Sequence, residues 1–167
     1  MRFVDEIKKV FNNKDRVISH RIDSLGNNVK VSFLKNKPID DVLFLEGCNK
    51  HIVPKQYMDL IAYADGMSLF NYDNIDGLQL LGYREVLEFT RYARNTFEEE
   101  WEDNITIFAK IIGEDNYIGF RKHDDDSYSI IDCYFEESPS EWEMIEEDLD
   151  CFLMRYYMGN GKKYWIE

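Results

Sequence analysis

The chain has 167 residues, 44% of them hydrophobic and 15% aromatic, enough for one substantial core, because a domain of this size hides roughly 70% of its unfolded surface from water. Its 20 Lys and Arg stand against 33 Asp and Glu, a net charge of -13, which argues against a general binder of nucleic-acid phosphates. Charges at Arg2 to Lys9 and the lack of any run of about 18 apolar residues argue against a signal peptide and a membrane span, and three scattered cysteines, Cys48, Cys133 and Cys151, argue against a disulfide framework; a reduced, cytoplasmic protein is expected.

In chain order, Phe3, Ile7, Val10 and Phe11 fit one helical face and Asn12-Asn13 ends it. Val17 and Ile18, the turn Ser24 to Asn28, and the alternating Val29, Val31 and Phe33 predict a β-hairpin within residues 15–37, closed by Pro38. Asp40 suits the cap of a short helix through Val42, Leu43 and Leu45, although Val-Leu-Phe-Leu also reads as a strand. Pro54 then suits a helix start, Tyr57, Leu60, Ile61 and Ala64 recur on one face, and Asp65-Gly66 stops it. Leu69 and Phe70, a turn at Asp73 to Gly77, and Leu78, Leu80 and Leu81 predict two strands.

Tyr83, Val86, Leu87, Thr90, Ala93 and Phe97 follow helical spacing, and the acidic run Glu98 to Asp103 follows them. Ile105 to Ile112 is apolar on much of both faces, as a central strand is. Turns at Gly113 to Asn116 and His123 to Ser127 separate it from strands at Tyr117 to Arg121 and Tyr128 to Tyr134. Ser140 and Glu143 have the spacing of a capping box, and Trp142, Ile145, Leu149, Phe152, Leu153 and Tyr156 then line one face of a last helix ending near Gly159-Asn160-Gly161. Tyr164, Trp165 and Ile166 are apolar enough to pack back on the core. Together these elements predict a single α+β domain over residues 1–167, a mainly antiparallel sheet covered on one side by helices.

Val53-Pro54 opening a helix, the aromatic Tyr57, the closing Gly66 and the later Gly77 resemble the SUKH superfamily, the Smi/Knr-type proteins. The usual residue before the Pro is Leu and before the closing Gly is Asn; here Val53 and Asp65 replace them. The resemblance implies a SUKH-like fold in which the 15–37 hairpin is an addition. It also implies one of two functions: a bacterial immunity protein that binds and neutralises a toxin, often a nuclease, or a regulatory or scaffolding domain like the fungal cell-wall synthesis regulators. Fungal members carry long flexible flanks that this sequence lacks, which turns expectation toward immunity.

Searching for chemistry gives no complete set. Cys48 and His51 are spaced like two zinc ligands, but no second pair accompanies them. Ser68 lacks the second Gly of a nucleophile elbow. Asp73 to Gly77 and Asp124 to Tyr128 each lack part of a calcium-loop ligand series. No enzyme, metal or cofactor is therefore expected, and no nucleic-acid or membrane partner. The charge is uneven: residues 1–58 sum to +4 and residues 59–167 to -17, and twelve carboxylates without a Lys or Arg lie between Asp124 and Asp150. Glu98, Glu99, Glu100, Trp101, Glu102 and Asp103, with Asp124, Asp125 and Asp126, form the expected contact surface for a protein partner, a toxin domain with a basic active site. The same acids also serve solubility, and Tyr72, Trp101 and Tyr134 suit core packing as well as an interface.

Overall fold

The computed structural model describes residues 1–39 and 53–166. Its helices are α1 (Arg2–Phe11), α2 (Lys55–Tyr63), α3 (Tyr83–Phe97) and α4 (Leu149–Met158). Its strands are β1 (Arg16–Ile22), β2 (Asn28–Lys35), β3 (Met67–Tyr72), β4 (Asp76–Leu80), β5 (Ile105–Ile111), β6 (Tyr117–Lys122), β7 (Tyr128–Cys133) and β8 (Met144–Glu146). Single 3-10 turns cover Glu98–Glu100 and Pro139–Glu141. The expected cap Asp40 with Val42, Leu43 and Leu45, and the Cys48–His51 pair, lie outside the described residues.

All eight strands form one antiparallel sheet in chain order, β1 to β8. The hairpin expected near residues 15–37 pairs along its whole length, from Arg16↔Leu34 to Ile22↔Asn28, and its second strand continues the sheet onto β3. Register shifts in the β2–β3 and β3–β4 pairings surround Phe70, whose φ of 51° is unusual for a bulky residue. The bulge drives the Phe70 ring inward, against Phe33 at 4.7 Å and Tyr156 at 5.7 Å. Another bulge, in β5, accompanies an Ile107 N–H that donates to Thr90 Oγ1 of α3 at 3.0 Å, so the helix is tied to the strand.

Alternation along β6 shows that helices cover both faces of the sheet, where the sequence reading expected one. Tyr117 packs on Phe89 of α3, whereas Phe120, an odd number of residues away, packs on Tyr57 of α2. On the second face Phe108 stacks on Phe120 at 4.0 Å and meets Phe152 of α4. Tyr57, fully buried, donates its hydroxyl to the Leu81 carbonyl, with the Phe108 carbonyl 3.1 Å away. Pro54 is the extended residue before α2 and does not lie within it. Gly66 takes φ +94°, and a Cβ there would lie 2.9 Å from the Gly82 nitrogen, so only glycine lets the chain leave α2 and enter β3 so close to β4.

The expected last helix is shorter than its sequence pattern. Residues 139–141 form a single turn with a Ser138–Glu141 capping box, Met144–Glu146 pairs with β7, and α4 begins only at Leu149. Ser140 and Glu143 are not its cap; the Asp148 carboxylate accepts from the Cys151 N–H at 2.9 Å. The reason is pinning upstream. Arg121 donates to the carbonyls of Pro139 and Trp142, and the Trp142 indole N–H donates to the Tyr134 carbonyl at 2.9 Å, which holds these residues against the sheet. Trp142 is 2% exposed as expected, but it is buried from a turn and not from a helix.

Asp150, also buried, accepts from the Phe3 N–H at 2.9 Å and from the Arg2 N–H at 3.2 Å. It thereby supplies the first turn of α1 with an acceptor that its own N-terminal residue, Met1, does not provide. Trp165 packs on Phe152 and Tyr156, whereas Ile166 is 52% exposed and does not join the core as expected.

Candidate functional site

Pairing of β5 with β6 brings the two predicted acidic segments to one end of the sheet. Residue 105 opens β5 opposite Arg121, so the segment 98–104 and the turn 123–127 enter and leave adjacent strands. Asn104 and Lys122 lock them together: the Lys122 N–H donates to the Asn104 carbonyl and the Asn104 amide donates to the Lys122 carbonyl, both at 2.9 Å.

Cations already meet part of this charge. Asp103 pairs with Arg94 at 2.9 Å, Glu102 with Arg121 at 3.3 Å and Asp126 with Lys122 at 2.7 Å. Asp125 turns back on its own loop, accepting from the Ser127 N–H and hydroxyl, bonds that hold its carboxyl below the usual range. Glu98, Glu99, Glu100 and Asp124 are exposed, and among the described residues no basic group lies within ion-pair distance of them. Trp101 is half-buried with its ring edge against Trp142 at 6.4 Å, so it stands beneath the acidic rim as part of the core wall. Tyr134 is 38% exposed and donates to Glu136, at the other end of β7.

That other end holds a second acidic place, which the sequence reading did not single out. A cavity of about 680 Å³ lies between the β5–β6 turn, the exit of β7 and the C-terminal segment, with Glu114, Asp132, Glu137 and Glu143 set among Ile145 and Trp165. Asp132 sits on the α4 face of the sheet, and burial, with the Glu114 carboxylate nearby, pushes its pKa up to about 6; the Trp165 indole N–H and Lys163 oppose the rise. Glu114 itself is paired with Lys163. The signal in the sequence was a carboxylate inside an otherwise buried strand, Ser129 to Cys133, masked by the eleven other acids of the same stretch.

Elsewhere the titratable groups serve structure. His123 shares a 3.0 Å hydrogen bond with Ser129, Asp76 pairs with the buried Arg21, and burial pushes the Cys133 thiol far up. Among the described residues no group of three His, Cys, Asp or Glu is arranged to hold a metal ion, and no helix is long and apolar enough to cross a membrane. No family model, curated protein or solved structure matches the chain, so its own residues carry the functional argument.

Proposed function

We propose that this chain is a non-enzymatic immunity protein that binds a bacterial toxin, with a nuclease as the leading candidate, through the acidic end of its sheet. The observation that carries the proposal is the convergence of residues 98–103 and 124–126, some twenty positions apart in sequence, on adjacent strand ends joined by the Asn104–Lys122 hydrogen bonds. A patch of net negative charge competes well for a groove that has to be positive to hold nucleic-acid phosphates. The SUKH resemblance of Val53-Pro54, Tyr57, Gly66 and Gly77 supplies the class of partner.

The test begins with a toxin encoded beside this gene, purified and bound to the chain. Reversing Asp124, Asp125 and Asp126 to Lys should slow association by about tenfold or more at low salt and change dissociation little, because steering acts on encounter. The gain lost should shrink as salt shortens the screening length to about 8 Å. Association that is unchanged by the reversal from low to high salt would remove the acidic end from the interface.

A further inference from the structure

The two edges of the sheet are finished differently. β8 has three residues, whereas β1 has seven and pairs with β2 without a register break. The Asp15 carbonyl accepts from the Lys35 N–H and the Asp23 N–H donates to the Asn27 carbonyl, which fixes the phase of the ladder. Odd-numbered residues therefore turn their main-chain groups toward β2, and Arg16, Ile18, His20 and Ile22 turn theirs outward. Among the described residues no strand or loop pairs with that side. A long, regular, open edge is a template for another strand.

Its side chains restrict what can be added. Ile18 and Ile22 are 42% and 56% exposed, and the strand carries two Arg, one His and no carboxylate in a chain of net charge -13. The flanking acids are engaged: Asp15 pairs with Lys35, Asp23 accepts from the Leu25 and Asn27 N–H groups, and Asp76 pairs with Arg21. Arg16, His20 and Lys30 have no carboxylate within ion-pair distance among the described residues. Immediately behind the edge, on the α4 side, a depression of about 260 Å³ has the apolar Val10, Phe33, Phe70, Tyr157 and Met158 in its wall together with the polar Ser19, His20 and Asn160. Antiparallel pairing of two copies through β1 would gather Arg16 and His20 of both, like charges that disfavour it.

We propose that β1 is a docking edge for an extended acidic segment of a partner protein. Its main chain adds a ninth strand to the sheet, its carboxylates face Arg16, His20 and Lys30 on the open side, and an alternate apolar side chain enters the depression behind. This surface is opposite in sign to the acidic end and does not depend on the toxin reading.

The experiment uses the full chain and synthetic extended peptides alternating Glu with Val, or Lys with Val, followed by solvent exchange of backbone amides in NMR. With the Glu-Val peptide at about ten times its dissociation constant, exchange at Ile18, His20 and Ile22 should slow by about tenfold, with no slowing at Val17, Ser19 or Arg21 beyond their β2 pairing. The Lys-Val peptide should leave the edge unprotected. Ile18→Pro deletes an outward N–H without touching the β2 ladder and should abolish protection. Should that variant misfold, the double change Arg16→Glu with Lys30→Glu should transfer the preference to the Lys-Val peptide. Equal protection by both peptides, no protection at millimolar peptide, or a preference unchanged by the double reversal would overturn the proposal.

Discussion

Asp124 and Asp125 stand in water at one end of β7, while Asp132, near the other end of the same strand, is withdrawn among Ile145 and Trp165. Asp124 is exposed, Asp125 accepts from the Ser127 N–H and hydroxyl, and those bonds make the Asp125 carboxyl ionise more readily than usual. Asp132 titrates near 6 because burial and Glu114 disfavour its charge. The two ends show that an acidic count describes no site by itself. Desolvation decides whether a carboxylate is a solvated long-range charge or a local, titratable one.

The severest way to break this comparison is to remove what separates the ends. Trp142 donates to the Tyr134 carbonyl near the cavity, offers its own carbonyl to Arg121 at the acidic end, and packs on Phe97, Phe135 and Trp101. Trp142→Ala should cost about 3–5 kcal/mol in denaturant unfolding, and chemical shifts should move at both ends. Movement at one end alone would show that the ends are not coupled through this ring.

Next in size is Arg121→Met, which keeps the aliphatic stem but strands the Pro139 and Trp142 carbonyls and frees Glu102. A loss of about 2–3 kcal/mol is expected, the cost of leaving partly buried acceptors without a charged donor. The shift changes should be confined to the acidic end and the turn before Trp142. If the cavity residues respond equally, the arginine serves the whole sheet.

A smaller effect should have the opposite sign. Asp132 has a folded pKa of about 6, above its unfolded value of about 3.9, so the folded chain binds this proton more tightly. Ionising it costs stability as pH rises from about 4 through 6. Asp132→Asn should therefore be more stable than the parent by about 1 kcal/mol at pH 8, allowing for partial solvent screening, and equal to it near pH 3.5. Thermal melts at the two pH values would show it; an advantage that is the same at both would mean that packing, and not charge, is responsible. Least of all, Asp124→Lys should change stability by no more than about 0.5 kcal/mol, since this side chain is exposed and, unlike Asp125 and Asp126, is tied to no turn amide or cation among the described residues. A loss of several times that would give the turn a structural role.

Much of the architecture was legible because period and punctuation agree. Phe3, Ile7 and Phe11 set α1, the alternating Val29, Val31 and Phe33 set β2, and Gly66 marks the way out of α2. Residues 139–148 were misread because Trp142, Ile145 and Leu149 fit a helical face equally well. What overrode the pattern was Arg121, twenty-one residues before Trp142, binding carbonyls that a helix would have used. The second helical face was hidden for a related reason: α3 lies on Tyr117 and α2 on Phe120, and no local pattern says on which side of a sheet a crossing helix will fall. The acidic segments were individually visible, but their meeting depends on the β5–β6 register. The cavity around Asp132 needed Trp165 to return across the sheet.

Strand order that follows chain order without exception also bears on how the molecule forms. Each new strand has its partner already beside it, so the sheet can grow by hairpin closures that each take about 1–10 μs in isolation, with the connection between β2 and β3, residues 36–66, as the longest internal loop and the α3 connection between β4 and β5 as the next. The Asp150 contact with the start of α1 spans 147 residues and is the natural last step. Losing it, as in Asp150→Ala, should hasten unfolding while leaving the refolding rate nearly as it was. The acceptor at the start of α1 is then a latch on the lifetime of the folded state, set after the rest of the chain has found its place.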